Sequence, residues 1–363
     1  MFNNAGRLAS NYINCTRRQV PGLEEGRSLP LEQIKKTLMG SGEKTQLLQI
    51  PKVDFRGLDP CNPGGDGWES VRVQAMRALE SFGCLEAIYD GVSPELKEAL
   101  FGRAMGELFA LPLETKTQSA SDKPYQGYIG QIPTMAYESL RVDGAPDLEK
   151  VEEFARLMWP QGNPNFCQTV CNFAKQVQKL EQIVERMVLQ SLGVDKYWTS
   201  HTESLAYGVR LAEYGVPLDQ ETKIAMGSHL DPNMMTIICQ HQVKGLEVQT
   251  KDGEWIVVEP FPNSFTVMIG EAFGAWTNGR LQPVHHRVRI QSNQKRHTAL
   301  FGSRPKDGSM VQTLEELIDK EHPLLYKPYN YNDYLKFRFS TERERAEDPL
   351  RAFCGIERIG LDA

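Results

Sequence analysis

The stretch GSHLDPN, residues 227–233, sets a histidine and an aspartate two positions apart, between a glycine and an Asp-Pro turn. In an extended strand, side chains at i and i+2 leave the same face. His229 and Asp231 can therefore deliver one ring nitrogen and one carboxylate oxygen to a common point. Two ligands alone do not make a metal site, so the reading depends on the chain around them. From Tyr207 onward that chain is a series of short apolar runs: AYGVRLAEY, NMMTIICQ, LEVQT, EWIVVEP, SFTVMIG, HHRVRI and HTALFG. Turn-forming stretches such as KDGE and TNGR separate them, which predicts an antiparallel sandwich or barrel rather than βαβ units.

A third ligand comes from one of these runs. QPVHHRVRI offers His285 and His286, and strand alternation turns only one of the two inward. Two histidines and one carboxylate on one face of a metal, with the other positions open, form the facial triad used by non-haem Fe(II) oxygenases. Ten residues past His286, KRHTALF places Arg296 and Thr298 on one strand face, with His297 turned away. An arginine pointing into a barrel requires an anion, and a dicarboxylate cosubstrate is one.

The residues ahead of this β region have a different texture. WESVRVQAMRALESFG, PELKEALFGRAMGELFALP and the long NFCQTVCNFAKQVQKLEQIVERMVLQSLG have helical spacing, and LLQIPKVDF reads as a first strand. The expected fold is mainly β with a helical layer. It divides into an extension over 1–48, a largely helical region over 49–200, a β core over 201–310 and a C-terminal helical tail over 311–363. STERERAED near the end reads as a solvated helix face.

Composition excludes several classes of function. The 363 residues carry 41 basic and 47 acidic side chains, a net charge of −6 spread evenly, so no basic field exists to hold nucleic acid or an acidic membrane surface. No run approaches the roughly 20 apolar residues of a membrane span. Seven scattered cysteines argue against a disulfide framework, and Cys167 and Cys171, at i and i+4 on a helix, lack a second ligand pair nearby. A cytoplasmic monomer acting on a small molecule is the expectation.

The ordered series IPKVDF, LPLETKTQSASDKPYQGYIG, GSHLD, GLEV, GEWIVVEP, NGRLQPVHHRV and KRHTALF resembles the plant Fe(II)- and 2-oxoglutarate-dependent dioxygenases over about residues 49–310. YIGQIP, LMWPQGN and NGRLQPVHHRV look most like the subgroup that produces alkenyl and hydroxyalkyl metabolites. The resemblance implies a double-stranded β-helix (jelly roll) core, with His229, Asp231 and His286 as iron ligands. Arg296 and Thr298 would clamp the distal carboxylate of 2-oxoglutarate, helped by Tyr214. LAEYGVP departs from the family's Asn-Tyr-Tyr, with Ala212 and Glu213 at the first two places. Dioxygen would be the second cosubstrate and ascorbate the reductant. Substrate walls are expected from Tyr125, Met135, Tyr137, Arg210, Asn233, Met235 and Phe301, and the product from hydroxylation, desaturation, demethylation or ring closure of a lipophilic metabolite. Asp231 stands where related halogenases have a small residue, which disfavours halogenation. An iron oxidase that does not use 2-oxoglutarate, or a non-catalytic binder on the same scaffold, are the alternatives.

Overall fold

A computed structural model of the protein describes residues 49–340, 346 and 348–356. The extension over 1–48 and most of STERERAED lie outside them. The β region forms two sheets. The larger holds seven strands in the order β1 (Lys52–Asp54), β2 (Cys84–Ile88), β9 (Ser264–Ile269), β6 (Met235–Gln240), β11 (Arg296–Pro305), β4 (Leu205–Tyr214) and β3 (Tyr137–Asp143). The smaller holds β5 (Ile224–His229), β10 (His286–Arg289), β7 (Leu246–Gln249) and β8 (Trp255–Val257). Apart from the parallel pair β1–β2, the ladders of both sheets are antiparallel. One cavity is lined by residues of both sheets, so the sandwich expected from the turn spacing encloses a ligand-sized space.

Strand β11 organises the interior. It pairs with β4 without a shift from Arg296↔Tyr214 to Pro305↔Leu205, and with β6 on its other edge. Alternation then assigns its faces. Arg296, Thr298, Leu300 and Gly302 border the cavity, while Ala299 and Phe301 enter the main apolar core.

The back of the large sheet is covered by helices α1 (Trp68–Phe82), α2 (Pro94–Glu98), α3 (Met105–Phe109), α4 (Leu148–Met158) and α5 (Pro164–Ser191). A π-helical turn at Ala99–Ala104 joins α2 to α3. Helix α5 starts where Asn163 accepts the Phe166 N–H at 3.0 Å with Pro164 following it, and the chain leaves it through Gly193 at φ 72°. Its buried stripe includes Phe166, Val170, Phe173, Val177, Leu180, Val184 and Met187. Each such side chain contributes about 1.5–3 kcal/mol by leaving water. Two acids, Glu181 and Glu185, share that buried face, and His201 Nε2 lies 3.5 Å from Glu185 Oε1.

Several elements were not foreseen, helix α4 among them. Helix α6 (Glu271–Trp276) interrupts the path from β9 to β10, and β3 forms from YESLRVD, whose charged residues hide its alternation. Beyond the β core, helix α7 (Tyr331–Arg338) returns to the metal end of the sandwich, where Arg338 donates to the carbonyl of Leu230 at 2.6 Å.

Candidate metal centre and cosubstrate pocket

His229 ends β5 and His286 begins β10, and the two are direct cross-strand partners. Asp231 follows two residues later, in the loop between β5 and β6. Its Oδ1 lies 3.8 Å from the Nε2 atoms of both His229 and His286. One possible ligand atom from each of the three falls within 4.8 Å of the others, and among the described residues no other group of three or more such side chains does so. Alternation decides between the adjacent histidines: His286 is buried and His285 is exposed, its Nδ1 3.5 Å from Ser228 Oγ.

The polar surroundings set these groups in ligand form. His229 Nδ1 lies 2.9 Å from the Gly227 carbonyl and His286 Nδ1 3.2 Å from that of Val284. A carbonyl can only accept, so each Nδ1 carries a proton and Nε2 is the nitrogen left to face the common point. Burial, and after it His286, lower the His229 pKa to about 3, which keeps the ring neutral. Burial raises the Asp231 carboxyl, but His286, His229 and the Thr236 hydroxyl outweigh it and hold the group below its usual range. Neutral imidazoles and an ionised carboxylate are the forms that bind a divalent cation.

Asp231 is held from two directions. Thr236 Oγ1 donates to its Oδ2 at 2.5 Å and in turn accepts from Asn233 Nδ2 at 2.9 Å. Its backbone carbonyl accepts the Glu271 N–H at 2.8 Å. Glu271 is buried with Tyr334, whose hydroxyl donates to it at 2.8 Å, and with Arg338 Nε at 3.3 Å. Thus α6 and α7 together fasten the loop that bears the carboxylate.

At the other side of the cavity floor Arg296 is buried, 1% exposed. Nη2 donates to Gln240 Oε1 at 2.8 Å, whereas Nε and Nη1 are buried without an acceptor among the described residues. No carboxylate of the described residues pairs with it. Its guanidinium carbon lies 5.0 Å from the Tyr214 ring centroid, and the Tyr214 hydroxyl approaches Met226 Sδ at 4.0 Å. Gly245 permits this placement, because a Cβ there would stand 2.9 Å from Arg296 Nε. Thr298 lies buried beside Arg296 on the same strand face. A buried cation with two unsatisfied donors is costly unless an anion completes it.

The candidate substrate wall is only partly as expected. Tyr125, Tyr137, Arg210 and Asn233 border a cavity of about 320 Å³ that also contains the His-Asp-His group and Arg296. Met235 does not: it faces the main core, and Thr236 and Ile238 take the cavity side of β6. Every residue of β6 is buried, so its sequence has no polar alternation to reveal which face is which. Met135 also misses the cavity and packs against the cluster around Ala212, Tyr214 and Met226. Phe301 touches the cavity boundary, but its ring stacks on Tyr207 in the core at 5.9 Å. Among the residues that sequence reasoning missed are Thr236, Met226, Ile238, Leu246, Val288 and Leu300, and, toward the far end of β11, Arg141, Arg304 and Tyr331.

Comparison with known proteins agrees with this geometry. A family model described as the 2OG-Fe(II) oxygenase superfamily matches residues 205–305. Another, described as non-haem dioxygenase in morphine synthesis N-terminal, matches residues 50–162. The chain is 41% identical over 315 residues to the probable 2-oxoglutarate-dependent dioxygenase AOP1.2 of Arabidopsis thaliana, covering 85% of this chain and 96% of that protein. The crystal structure of the dioxygenase for auxin oxidation from rice superposes with a TM-score of 0.71 at 29% identity, over 85% of this chain and all of the other. JOX2 in complex with 2OG, Fe and JA shares the fold, with a TM-score of 0.65 at 24% identity over 86% and 94% of the two chains. Among the described residues, no helix is long and apolar enough to cross a membrane. A sandwich that buries an unanswered arginine across from a two-histidine, one-carboxylate cluster, and that matches these relatives over most of its length, makes the chain a member of the Fe(II)- and 2-oxoglutarate-dependent dioxygenases, a family of oxidoreductases.

Proposed function

We propose that the enzyme oxidises a C–H bond of a small plant specialised metabolite with a largely apolar body, by hydroxylation, desaturation, demethylation or ring closure. In this reading His229, Asp231 and His286 hold the Fe(II), and Arg296 with Thr298 receives the distal carboxylate of 2-oxoglutarate beside Tyr214. The residues fit both groups: burial keeps His229 neutral, the Asp231 carboxyl is held below its usual range, and the buried arginine lacks the anion that 2-oxoglutarate would supply. When bound, iron and 2-oxoglutarate supply the oxidising power from dioxygen, with release of succinate and carbon dioxide.

The chain's own residues contribute binding, orientation and dryness. Nδ1–H bonds to backbone carbonyls fix both imidazole rings, and Thr236 fixes the carboxylate. Met226, Ile238, Leu246, Val288 and Leu300 line the floor with apolar surface, which favours a hydrophobic substrate body and excludes water near the metal end. The small-molecule class is further supported by the rice relative, a dioxygenase for auxin oxidation. Asp231 occupies the ligand place that chloride would need, so the reading does not include halogenation.

The observation that carries this reading is the buried, incompletely bonded Arg296 in the same cavity as the His-Asp-His cluster. Anaerobic titration should give one tight Fe(II) site and 2-oxoglutarate binding that depends on it. Aerobic screening against alkaloids, terpenoids and phenolics should then give succinate in step with oxidised product. His286→Ala should lose iron and turnover while His285→Ala keeps both, and the reverse pattern would overturn the ligand assignment.

A further inference from the structure

Iron and 2-oxoglutarate leave a second set of charges in the cavity without a task. Strands β3 and β4 pair so that Arg141 stands directly opposite Arg210, and both border the cavity. Like charges directly opposite on one sheet face oppose strand pairing, so the arrangement needs an anion or strong local bonding to hold it. Arg210 has the local bonding: Nη1 donates to Ser139 Oγ at 2.8 Å and to the Gly127 carbonyl at 3.4 Å, and Nη2 to the Tyr125 carbonyl. It fastens the 125–127 loop at the cavity edge.

Arg141 is different. Its Nε donates to Asp143 at 2.7 Å, and its Nη groups find no acceptor among the described residues. The guanidinium lies across Gly208, where a Cβ would come within 2.7 Å of Nη2. Gly208 pairs with Gly302, two residues before Arg304 on the cavity face of β11. Arg304 Nη1 donates to Asp307 at 2.7 Å and to the Pro305 carbonyl at 3.2 Å, while its Nε is buried without an acceptor among the described residues. Both arginine side chains are mostly buried, at 13% and 16% exposure, whereas Asp143 and Asp307 are 40% and 42% exposed. Each aspartate takes a single nitrogen of its arginine, so these carboxylates leave the other guanidinium donors available to a further acceptor. The buried Tyr331 ring also borders this part of the cavity, and both guanidiniums act on its phenol.

We infer that Arg141 and Arg304 form a subsite for an oxyanionic head group, such as a carboxylate, so that the substrate is an amphipathic acid. Its head meets the two guanidiniums at the far end of β11, and its apolar body runs over Leu300 toward the metal end. The inference deepens the proposed function and rests on it, since Arg296 must already be engaged by 2-oxoglutarate for the second pair to select the substrate.

The test is equilibrium binding to the full chain, held anaerobically with Fe(II) and saturating 2-oxoglutarate. The probes are 3-phenylpropionate and decanoate, each measured against its primary amide. Both acids should bind more tightly than their amides. Arg141→Gln and Arg304→Gln should each weaken acid binding about tenfold, as expected for loss of a charge-assisted hydrogen bond, and leave amide binding unchanged. Affinity for 2-oxoglutarate in the same variants, expected to be unchanged, reports that the fold and the metal end are intact. Amides that bind as well as acids, an acid preference that survives both substitutions, or failure of both acids to bind would overturn the subsite. Failure of the wild-type chain to bind 2-oxoglutarate with Fe(II) would instead overturn the proposed function, and that binding is measured first.

Discussion

Thr236→Val tests how the metal end is held, because it removes one hydroxyl and little volume. Thr236 is 4% exposed, and its Oγ1 donates to Asp231 Oδ2 at 2.5 Å while accepting from Asn233 Nδ2. A hydrogen bond to an ionised group is worth about 1.5–3 kcal/mol net. If all of that is expressed in holding the carboxylate ready, Fe(II) affinity should fall roughly 10- to 100-fold, at about 1.4 kcal/mol per tenfold. Asn233 keeps its other acceptor, the Met235 carbonyl at 3.0 Å, so global stability should change far less than metal affinity. The hydroxyl also helps hold the Asp231 carboxyl below its usual range. Its loss should therefore shift the pH at which iron is half-bound upward, since the carboxylate must be ionised to coordinate. The assay is anaerobic competition between the protein and a chelator across a pH series, with Thr236→Ser as the rescue. Wild-type affinity in Thr236→Val, or a loss that Ser fails to restore, would refute the idea that this hydroxyl positions the ligand.

Arg296→Lys should weaken 2-oxoglutarate binding by about 10- to 100-fold without loss of iron, because an ammonium cannot reproduce the planar fork; calorimetry on the iron-loaded protein checks this. Met235→Ala, in the core rather than on the cavity wall, should cost about 2–5 kcal/mol in denaturant unfolding and leave the product pattern alone, whereas Leu300→Ala should alter it. Burial first, and Glu185 second, raise the Glu181 carboxyl well above its ordinary 4.5, so the folded chain keeps a proton that the unfolded chain releases. The stability tied to that proton is complete below about pH 4.5 and is lost as pH rises toward the folded value. Glu181→Gln should therefore gain stability relative to wild type as pH rises above about 4.5, and parallel pH curves for the two proteins would contradict this.

The triad was legible in the sequence because its signal is local and periodic. His229 and Asp231 are two apart, and the HHRVRI alternation turns His286 inward and His285 outward, as their burial shows. Arg296 was legible for the same reason, as was helix α5, whose apolar stripe, Asn163 cap and closing Gly193 all agree. Where both faces of a strand are buried, polar and apolar residues no longer alternate to mark them. In β6 Met235 and Ile238 are equally apolar, and only the tertiary structure distinguishes the cavity side from the core side. Strand β3 was missed for the opposite reason: its Glu138 and Arg141 look solvated, yet one pairs with the buried Lys116 at 2.8 Å and the other borders the cavity. The Glu271–Arg338–Leu230 connection spans too much sequence for any spacing rule to anticipate.

The hydrogen bond from Arg338 to the Leu230 carbonyl also says something about the order in which this enzyme comes into being. During synthesis the last strand of the large sheet is complete at Pro305, while the helix that buttresses the loop between His229 and Asp231 ends only at Arg338. At roughly 5–20 residues per second, the ribosome needs about 2–7 s to cover that gap. With His229, Asp231 and His286 as the proposed ligands, an iron ion meeting the nascent chain in that interval would find a carboxylate loop lacking its final tether. Maturation of the proposed metal centre would thereby wait on a late helix that offers no ligand of its own.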